Sequence, residues 1–322
     1  MSKNQLRTTI TPWVIGIAVI IVGALIYGYV KTNTPASEAS TGSIYRYVAT
    51  DGNDTSGDGS FAKPYRTIRK AITTTVSTTR SNIYIYPKGT LQLHRDDTTT
   101  NPINLPPRSN VIITGQPVFN TLAGGRNAKI TAGGFSSNPL VLSVNSATLN
   151  VTFIDWDRVN LRPTLGKNSS FLFSNNKVES IIAPGQLPGD VLVRTQDATA
   201  KAIIRKNTFV LADLKADCCR VKGLDLMHSQ NGSVTITQNR FVYPKIDNRL
   251  GPKLKYQGIS LWSNAADGGS GISISDNTFT HLGYLPQPQP LATDVGIYLA
   301  GAKNVKVGSN DFTKFLGIPV QP

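Results

Sequence analysis

Cysteine is scarce in this sequence, which contains only two, the neighbouring residues Cys218 and Cys219. Two adjacent thiols cannot build a disulfide framework, and too few other ligands accompany them for a zinc site. Two interpretations remain open: a vicinal disulfide that stiffens a loop, and two ordinary thiols near a turn. The fold is therefore expected to be held by packing rather than by cross-links.

Acidic residues are also scarce, with 19 Asp and Glu against 33 Lys and Arg, so the formal net charge is +14. Lys3, Arg7 and Lys31 are the charged residues before position 32, which leaves +11 (14 minus 3) for the remainder. A basic exterior attracts polyanions such as acidic glycans, teichoic-acid-like polymers, anionic lipid head groups and nucleic acid. The alternative is a basic surface that serves only solubility.

One uncharged apolar run of 18 residues, 13–30, lies near the amino end and is just long enough to cross a bilayer as a helix. Lys3 and Arg7 precede it, and aromatic residues typical of membrane interfaces lie at its edges, namely Trp13, Tyr27 and Tyr29. This arrangement predicts a membrane anchor with its amino end in the cytoplasm. A cleaved signal peptide processed near residues 36–39 is the alternative, although a signal core usually has about 7–15 residues.

The anchor divides the chain into three predicted regions. Residues 1–31 are a cytoplasmic tip and the transmembrane anchor. Residues 32–43 consist mainly of Thr, Ser, Ala and Pro and are expected to form a flexible stalk. Residues 44–322 are long enough to bury a core and form one ectodomain, which the anchor holds in an extracellular or periplasmic location.

A short pattern repeats through the second half of the chain. In the segment from Ile272 to Phe279, two isoleucines alternate with serines, as in a half-buried strand, and Asn277 follows. The same frame, with apolar residues before an asparagine and an apolar or aromatic residue after it, occurs around five asparagines that lie 31, 32, 38 and 33 residues apart, namely Asn176, Asn207, Asn239, Asn277 and Asn310. A frame that recurs at a near-constant period predicts a stacked repeat architecture.

A second strand belongs to each repeat and begins with glycine in three of them. It is seen at 223–226, 258–261 and 296–299, and residues 190–193 occupy the matching place in an earlier unit. A short strand of this kind cannot bury its apolar face alone, but successive units stacked on one another give a continuous core of like residues.

These repeats resemble the right-handed parallel β-helix of the pectate-lyase-like superfamily. The resemblance implies an all-β, right-handed, single-stranded solenoid in which the corner asparagines stack as a ladder and Phe279 and its counterparts stack inside. The segment Tyr47–Ile72 is similar to the first strand, glycine-rich loop and short capping helix of many secreted β-helix proteins, with Thr67 near the helix start. The complete expected fold is this β-helix with its capping helix, preceded by one transmembrane helix.

The glycine-rich loop near the amino end contains several side chains with oxygen ligands, Asp51, Asn53, Asp54 and Asp58. Their spacing fits no EF-hand loop, which needs a glutamate at its twelfth position. A calcium site is one interpretation, and we favour the other, a cluster of Asx and Gly turns. No metal site is therefore predicted.

The candidate binding site lies where insertions of the same register project on one side of the solenoid, at 210–222, 242–257 and 280–295. Beside them, outward residues of the glycine strands predict two columns, one of Leu192, Asp225, Ser260 and Tyr298 and one of Arg194, Met227, Trp262 and Ala300. Aromatic rings beside basic groups suit a sugar ring whose carboxylate or sulfate is held by Lys or Arg. The predicted ligand-binding residues are Trp262, Tyr298, Tyr256, Lys255, Lys253, Arg249, Lys245, Tyr243, Asp225 and Arg194.

These features predict a cell-surface domain that binds an acidic polysaccharide or another anionic cell-surface polymer, with the membrane contacted through residues 13–30 and without a cofactor. Nucleic acid is not expected, because no recognised binding motif is present. One alternative is a polysaccharide lyase or epimerase of the same superfamily, for which Ca²⁺ would be the expected cofactor, although no catalytic constellation is found. The aromatic residues could also simply pack the loops onto the sheet, and a structural surface protein without a ligand is the second alternative.

Overall fold

The structure is a computed structural model, and it describes residues 42–74, 81–99, 101–115, 128–132, 139–180, 191–211, 220–230, 232–244, 255–265, 268–269, 271–282 and 294–322. These residues all belong to one compact unit, Thr41–Pro322. The predicted transmembrane segment 13–30, the stalk up to residue 41 and the cysteine pair lie outside the described residues.

The described strands form three parallel sheets, which we call A, B and C. Sheet A has nine strands, and its parallel pairing follows the order of this list. Its strands are Ser43–Val48 (β1), Asn82–Pro87 (β2), Asn110–Thr114 (β5), Thr148–Thr152 (β8), Ser170–Ser174 (β11), Lys201–Arg205 (β14), Ser233–Thr237 (β17), Ile272–Ser275 (β20) and Lys306–Val307 (β23).

Sheets B and C have eight described strands each. The strands of sheet B are Thr90–Gln92 (β3), Ala128–Thr131 (β6), Ile154–Asp157 (β9), Lys177–Ser180 (β12), Thr208–Leu211 (β15), Arg240–Tyr243 (β18), Thr278–His281 (β21) and Asp311–Lys314 (β24). The strands of sheet C are Ile103–Asn104 (β4), Leu140–Val144 (β7), Leu161–Leu165 (β10), Val191–Thr195 (β13), Arg220–His228 (β16), Lys255–Ser263 (β19), Val295–Ala300 (β22) and Ile318–Gln321 (β25).

From β2 onward, the chain visits sheets A, B and C in turn, so each coil adds one strand to every sheet. Period-two strands send alternate side chains inward, where Ile, Val, Leu and Phe of successive coils pack into one continuous core. This cyclic order and the parallel pairing define a parallel β-helix-like solenoid. The repeat predicted from the sequence is confirmed, with three strands in each coil.

The predicted asparagine ladder is confirmed at the corner between sheets A and B. The side-chain Nδ2 of each ladder asparagine donates to Oδ1 of the next, at 3.1, 2.9, 3.0 and 3.0 Å along the series from Asn176 to Asn310. The same Oδ1 atoms also accept the backbone N–H of the preceding asparagine. Because Asn176, Asn207, Asn239 and Asn277 are buried, each amide satisfies backbone groups that water cannot reach.

The predicted internal aromatic column is also confirmed. Phe209 stacks on Phe241 with ring centroids 4.9 Å apart, and Phe241 stacks on Phe279 at the same distance. Phe312 continues the stack at 4.7 Å from Phe279. Like residues therefore occupy like positions in successive coils, as the repeat predicts.

The one described helix is α1, Ile68–Thr73, whose N-cap side chain, Thr67, accepts the backbone N–H of Lys70 at 3.0 Å. The predicted role of this helix as a cap is wrong. Six residues rise only about 9 Å, which is too short to cover the end of three sheets that pack about 10 Å apart. Helix α1 instead inserts Ile68, Ala71 and Ile72 into the first coil of the core.

The predicted fold class needs two further corrections. The strands are hydrogen-bonded within three separate sheets. Among the described residues, these sheets are not closed into one helix, so the expected right-handed, single-stranded β-helix is wrong in this respect. The expected fold also included a transmembrane helix, and no helix within the part of the chain that the structure describes has the length and apolar character to cross a membrane.

We expect Asn239→Ala to lower the free energy of unfolding by about 3 kcal/mol, because it leaves buried partners on both neighbouring coils without hydrogen bonds. Chemical denaturation measures the change. The matched control is Asn101→Ala, since Asn101 is exposed and holds Arg69 through its backbone carbonyl. Equal stability of the two variants would contradict the structural role of the ladder.

A buried carboxyl group holds the first turn of α1. Asp97 is fully buried and accepts the backbone N–H of Arg69 at 2.9 Å. Burial raises the pKa of Asp97 from 3.8 to about 7, against the opposing effect of its backbone hydrogen bonds. The folded protein therefore keeps a proton that the unfolded chain releases near pH 4, so this group costs stability as the pH rises from about 4 to 7.

We expect Asp97→Asn to remove that cost, because the amide stays neutral and its oxygen can still accept the N–H of Arg69. Thermal unfolding between pH 4 and 7.5 should show a difference between variant and wild type that grows in favour of the variant as the pH rises. Using the difference isolates the effect of residue 97, because every other ionisable group is the same in both proteins. A constant difference would show that Asp97 is ionised throughout.

Candidate functional site

The outer faces of sheets B and C differ in charge. On sheet B the charged side chains pair with one another: Asp157 accepts Lys129 at 2.9 Å and Arg158 at 3.1 Å, and Lys177 pairs with Glu179. Sheet C carries Arg162, Arg194 and Lys222 on β10, β13 and β16, with Asp225 as the carboxylate beside them. Among these residues, sheet C therefore carries more positive than negative charge, whereas the ion pairs on sheet B balance.

The two outward columns predicted on sheet C have the expected register. Leu192 pairs with Asp225, Asp225 with Ser260, and Ser260 with Tyr298. In the second column, Arg194 pairs with Met227, Met227 with Trp262, and Trp262 with Ala300. Four of the predicted site residues are thereby brought onto one surface, namely Arg194, Asp225, Trp262 and Tyr298.

Trp262 is the centre of this surface. It is 61% exposed and belongs to the small set of large apolar side chains that face solvent in the described residues. Two depressions meet at Trp262 and Met227, one of about 230 Å³ and one of about 410 Å³. We call the two together the sheet C groove.

The smaller depression, here the arginine depression, is lined by Arg194, Gln196, Met227, His228, Ser229, Trp262 and Asn264. Arg194 carries the permanent positive charge of this depression, and no carboxylate is among the described residues that line it. The Nε atom of Arg194 is buried and has no hydrogen-bond partner among the described residues. A guanidinium in this state can gain a charge-assisted bond from an anion.

The larger depression, here the carboxylate depression, shares Met227 and Trp262 and adds Lys222, Asp225, Gln257, Ser260 and Tyr298. Lys222 Nζ donates to Asp225 Oδ2 at 2.7 Å, and both side chains are mostly covered. The pair neutralises itself, so this depression has no net charge from its described lining.

Two predicted ligand contacts, Tyr243 and Tyr256, are wrong because both side chains are buried. Tyr243 is wholly buried, its hydroxyl donates to the Val295 carbonyl oxygen at 2.9 Å, and its ring packs 4.8 Å from that of Phe315. Burial raises the pKa of Tyr243 well above its ordinary value, so it stays neutral. Both tyrosines are core residues, as the alternative of aromatic residues that pack loops onto the sheet anticipated.

The insertion 242–257, which contains four of the predicted lysine and arginine contacts of the site, is only partly described. Lys245, Arg249 and Lys253 lie outside the described residues, and their roles stay predictions. Lys255 is the first residue of β19 and pairs in register with Arg220.

Other clusters of chemical interest have structural roles. His281 Nδ1 accepts the backbone N–H of Leu316 at 3.2 Å, so its Nε2 is the atom that donates to Asp294 Oδ2 at 3.0 Å, and both residues are buried. In the amino-terminal loop, Asn53 Oδ1 accepts two local backbone N–H groups and Asp54 Oδ1 accepts that of Arg66, which supports the interpretation as turns. Within the described ranges, no group of three or more His, Cys, Asp or Glu residues could hold a metal ion.

Sequence reasoning missed several lining residues, and two of them, Lys222 and Gln257, pair in register on β16 and β19. Strict alternation from Asp225 places Lys222 on the inner face. The alternation fails at Gly223 and Leu224, which are both buried, so Lys222 and Asp225 reach the same face three residues apart. The signal that could have found them is the glycine inside each of these two strands, Gly223 and Gly258.

Comparison with protein-family models, with curated proteins and with solved structures found no match for this chain. The class of the protein is therefore defined by its own fold and surface: an all-β, parallel β-helix-like solenoid with an aromatic, basic groove on one sheet.

We expect Tyr243→Phe to lower the free energy of unfolding by about 1–2 kcal/mol, because it leaves the buried Val295 carbonyl without this partner. Denaturation curves measure the loss. The same variant should bind any ligand of the sheet C groove as the wild type does, since Tyr243 is a core residue. Loss of binding without loss of stability would restore Tyr243 to the binding site.

Proposed function

We propose that this protein binds an acidic polysaccharide along the outer face of sheet C, with one sugar ring stacked on Trp262. The observation that carries the proposal is the position of Trp262, an exposed indole between a guanidinium and a lysine–carboxylate pair. The exposed indole borders both depressions and presents an apolar ring beside polar and charged groups, which favours a role in binding.

Charge supports an anionic ligand. Arg162, Arg194 and Lys222 follow one another on three adjacent strands, β10, β13 and β16. With about 4.8 Å between strands and about 3.3 Å per residue, the Cα atom of Arg194 lies roughly 8 Å from that of Arg162 and roughly 17 Å from that of Lys222. A linear polymer with repeated negative groups can reach cations spread over this distance, whereas a single small anion would use one cation only.

Aromatic chemistry supports a carbohydrate. The ring of Trp262 offers an apolar face, and Tyr298 lies diagonally across from it on the next strand, within the same depression. Sugar rings combine apolar C–H faces with hydroxyl groups, which match an aromatic platform bordered by Ser260 and Asp225. An acyl chain would leave these polar groups without partners.

The further parts of the proposal rest on the sequence. The repeats resemble the pectate-lyase-like superfamily, whose members act on acidic polysaccharides, and the run 13–30 favours attachment to a membrane. We therefore infer a surface-anchored receptor in an extracellular or periplasmic location, to which the basic residues Lys245, Arg249, Lys253 and Lys255 add long-range attraction.

We expect Trp262→Ala to weaken binding to an acidic polysaccharide about tenfold, equivalent to about 1.4 kcal/mol, because the stacking platform is lost. Arg194→Gln should weaken binding and make it less sensitive to salt, because one screened charge contact is removed. Retention on an immobilised polyuronate at increasing salt concentration measures both effects.

The chain offers matched controls on other surfaces. Phe61→Ala removes an aromatic ring that is 60% exposed, and Arg205→Gln removes an exposed arginine from sheet A. Neither should change retention. If the control variants lose as much binding as the groove variants, attraction is spread over the whole surface and the proposed site is wrong. Release of unsaturated uronate, followed by ultraviolet absorbance, would indicate a lyase instead of a receptor.

A further inference from the structure

The two halves of the sheet C groove differ in the charge that they offer to a ligand. The arginine depression has the uncompensated guanidinium of Arg194 and no carboxylate among its described lining. The carboxylate depression has Lys222 already held by Asp225 at 2.7 Å. A ligand that crosses Trp262 therefore passes from a positive half to a neutral half.

The arginine depression suits an anionic group. Arg194 carries a buried Nε atom without a partner in the described structure, and Gln196, Ser229 and Asn264 add neutral polar groups around it. Guanidinium groups bind planar carboxylates through two parallel N–H bonds, which makes a uronate carboxylate a geometric match.

The carboxylate depression suits an uncharged, hydroxyl-bearing group. Asp225 keeps lone pairs that Lys222 does not use, and a carboxylate accepts from sugar hydroxyls. Gln257 is only 3% exposed, lines this depression, and has a side-chain oxygen without a partner in the described structure, so another acceptor lies beside the first. A second carboxylate on the ligand would meet Asp225 in a partly covered site, where like charges repel strongly.

We infer that the groove selects a polysaccharide in which an acidic sugar is followed by a neutral one, rather than a homopolymer of acidic sugars; this inference rests on the proposed function. Arg194 and Asp225 lie on adjacent strands and two positions apart in register. Their Cα atoms are therefore roughly 8 Å apart, from a strand spacing of about 4.8 Å and a rise of about 3.3 Å per residue. The acidic sugar contacts Arg194, the neutral sugar contacts Asp225, and Trp262, on the next strand, borders both depressions.

The test compares two polymers of equal length on the full chain: a linear polyuronate, and a polymer in which hexuronate alternates with a neutral N-acetylated hexosamine. At equal carboxylate concentration, the wild type should bind the alternating polymer at least about fivefold more tightly. Asp225→Asn should bring this ratio to about one or below, because it removes the repulsion and releases Lys222 for a second carboxylate.

Lys222→Met provides the opposite change. It leaves Asp225 without its cation, so rejection of the polyuronate should increase and the ratio should rise. Asp276→Asn is the matched control, because it removes an exposed carboxylate at the corner of sheets A and B. It should leave the ratio unchanged. The unfolding midpoint of each variant confirms that it is folded, and the two groove variants predict opposite shifts, which a general loss of structure does not produce.

The outcomes separate this inference from the proposed function. If the wild type binds both polymers equally and neither groove variant changes the ratio, the selection is absent while the receptor function stands. If the wild type binds neither polymer, the proposed function fails, and the selection fails with it. A ratio that shifts in opposite directions in the two variants supports the inference.

Discussion

The rest of the structure depends on the hydrogen bonds between stacked side-chain amides at the corner of sheets A and B. Each buried asparagine gives its Nδ2 and its backbone N–H to one oxygen of the next coil, for example from Asn239 to Asn277 at 3.0 Å in both cases. These contacts connect residues 38 positions apart in sequence and leave no freedom for a coil to slip. Because a slip by one residue would move every side chain to the other face, the ladder also fixes which side chains face solvent.

Much of this arrangement could be predicted from the sequence, because buried residues of a solenoid repeat by position. Alternation and a near-constant spacing were sufficient for the ladder, the phenylalanine column and the register of the groove residues. The coil before Asn176 shows where prediction from side chains fails. Ile154 occupies the ladder position and donates its N–H to Asn176 Oδ1 at 3.1 Å, although its own side chain has no amide. At this coil the backbone N–H makes the ladder hydrogen bond, but the side chain of Ile154 gives no sign of it in the sequence.

The residues that could not be predicted are those at bends. The position before each ladder asparagine adopts a positive φ in most coils, at Asn175, Lys206, Gln238 and Asp276, and these share no residue type that would indicate it. Strands β16 and β19 of sheet C need glycine because the phenylalanine column passes close by: a Cβ on Gly258 would lie 2.6 Å from Tyr243 Oη and 2.8 Å from Phe279 Cε1. The break in alternation at Gly223 and Leu224 carries Lys222 outward.

The binding surface follows from a difference between the two faces of the same strands. Inward positions tend to repeat, since phenylalanines stack and asparagines hydrogen-bond when neighbouring coils supply the same side chain. Outward positions carry no such constraint, and one column of sheet C contains Arg194, Met227, Trp262 and Ala300 in succession. A uniform column would give a surface with the same chemistry along its length. Along this column the side chain changes from a guanidinium on β13 to an indole on β19, so the two ends of the groove differ in chemistry. This difference is possible because the inner face holds the strands in fixed register while the outer face varies.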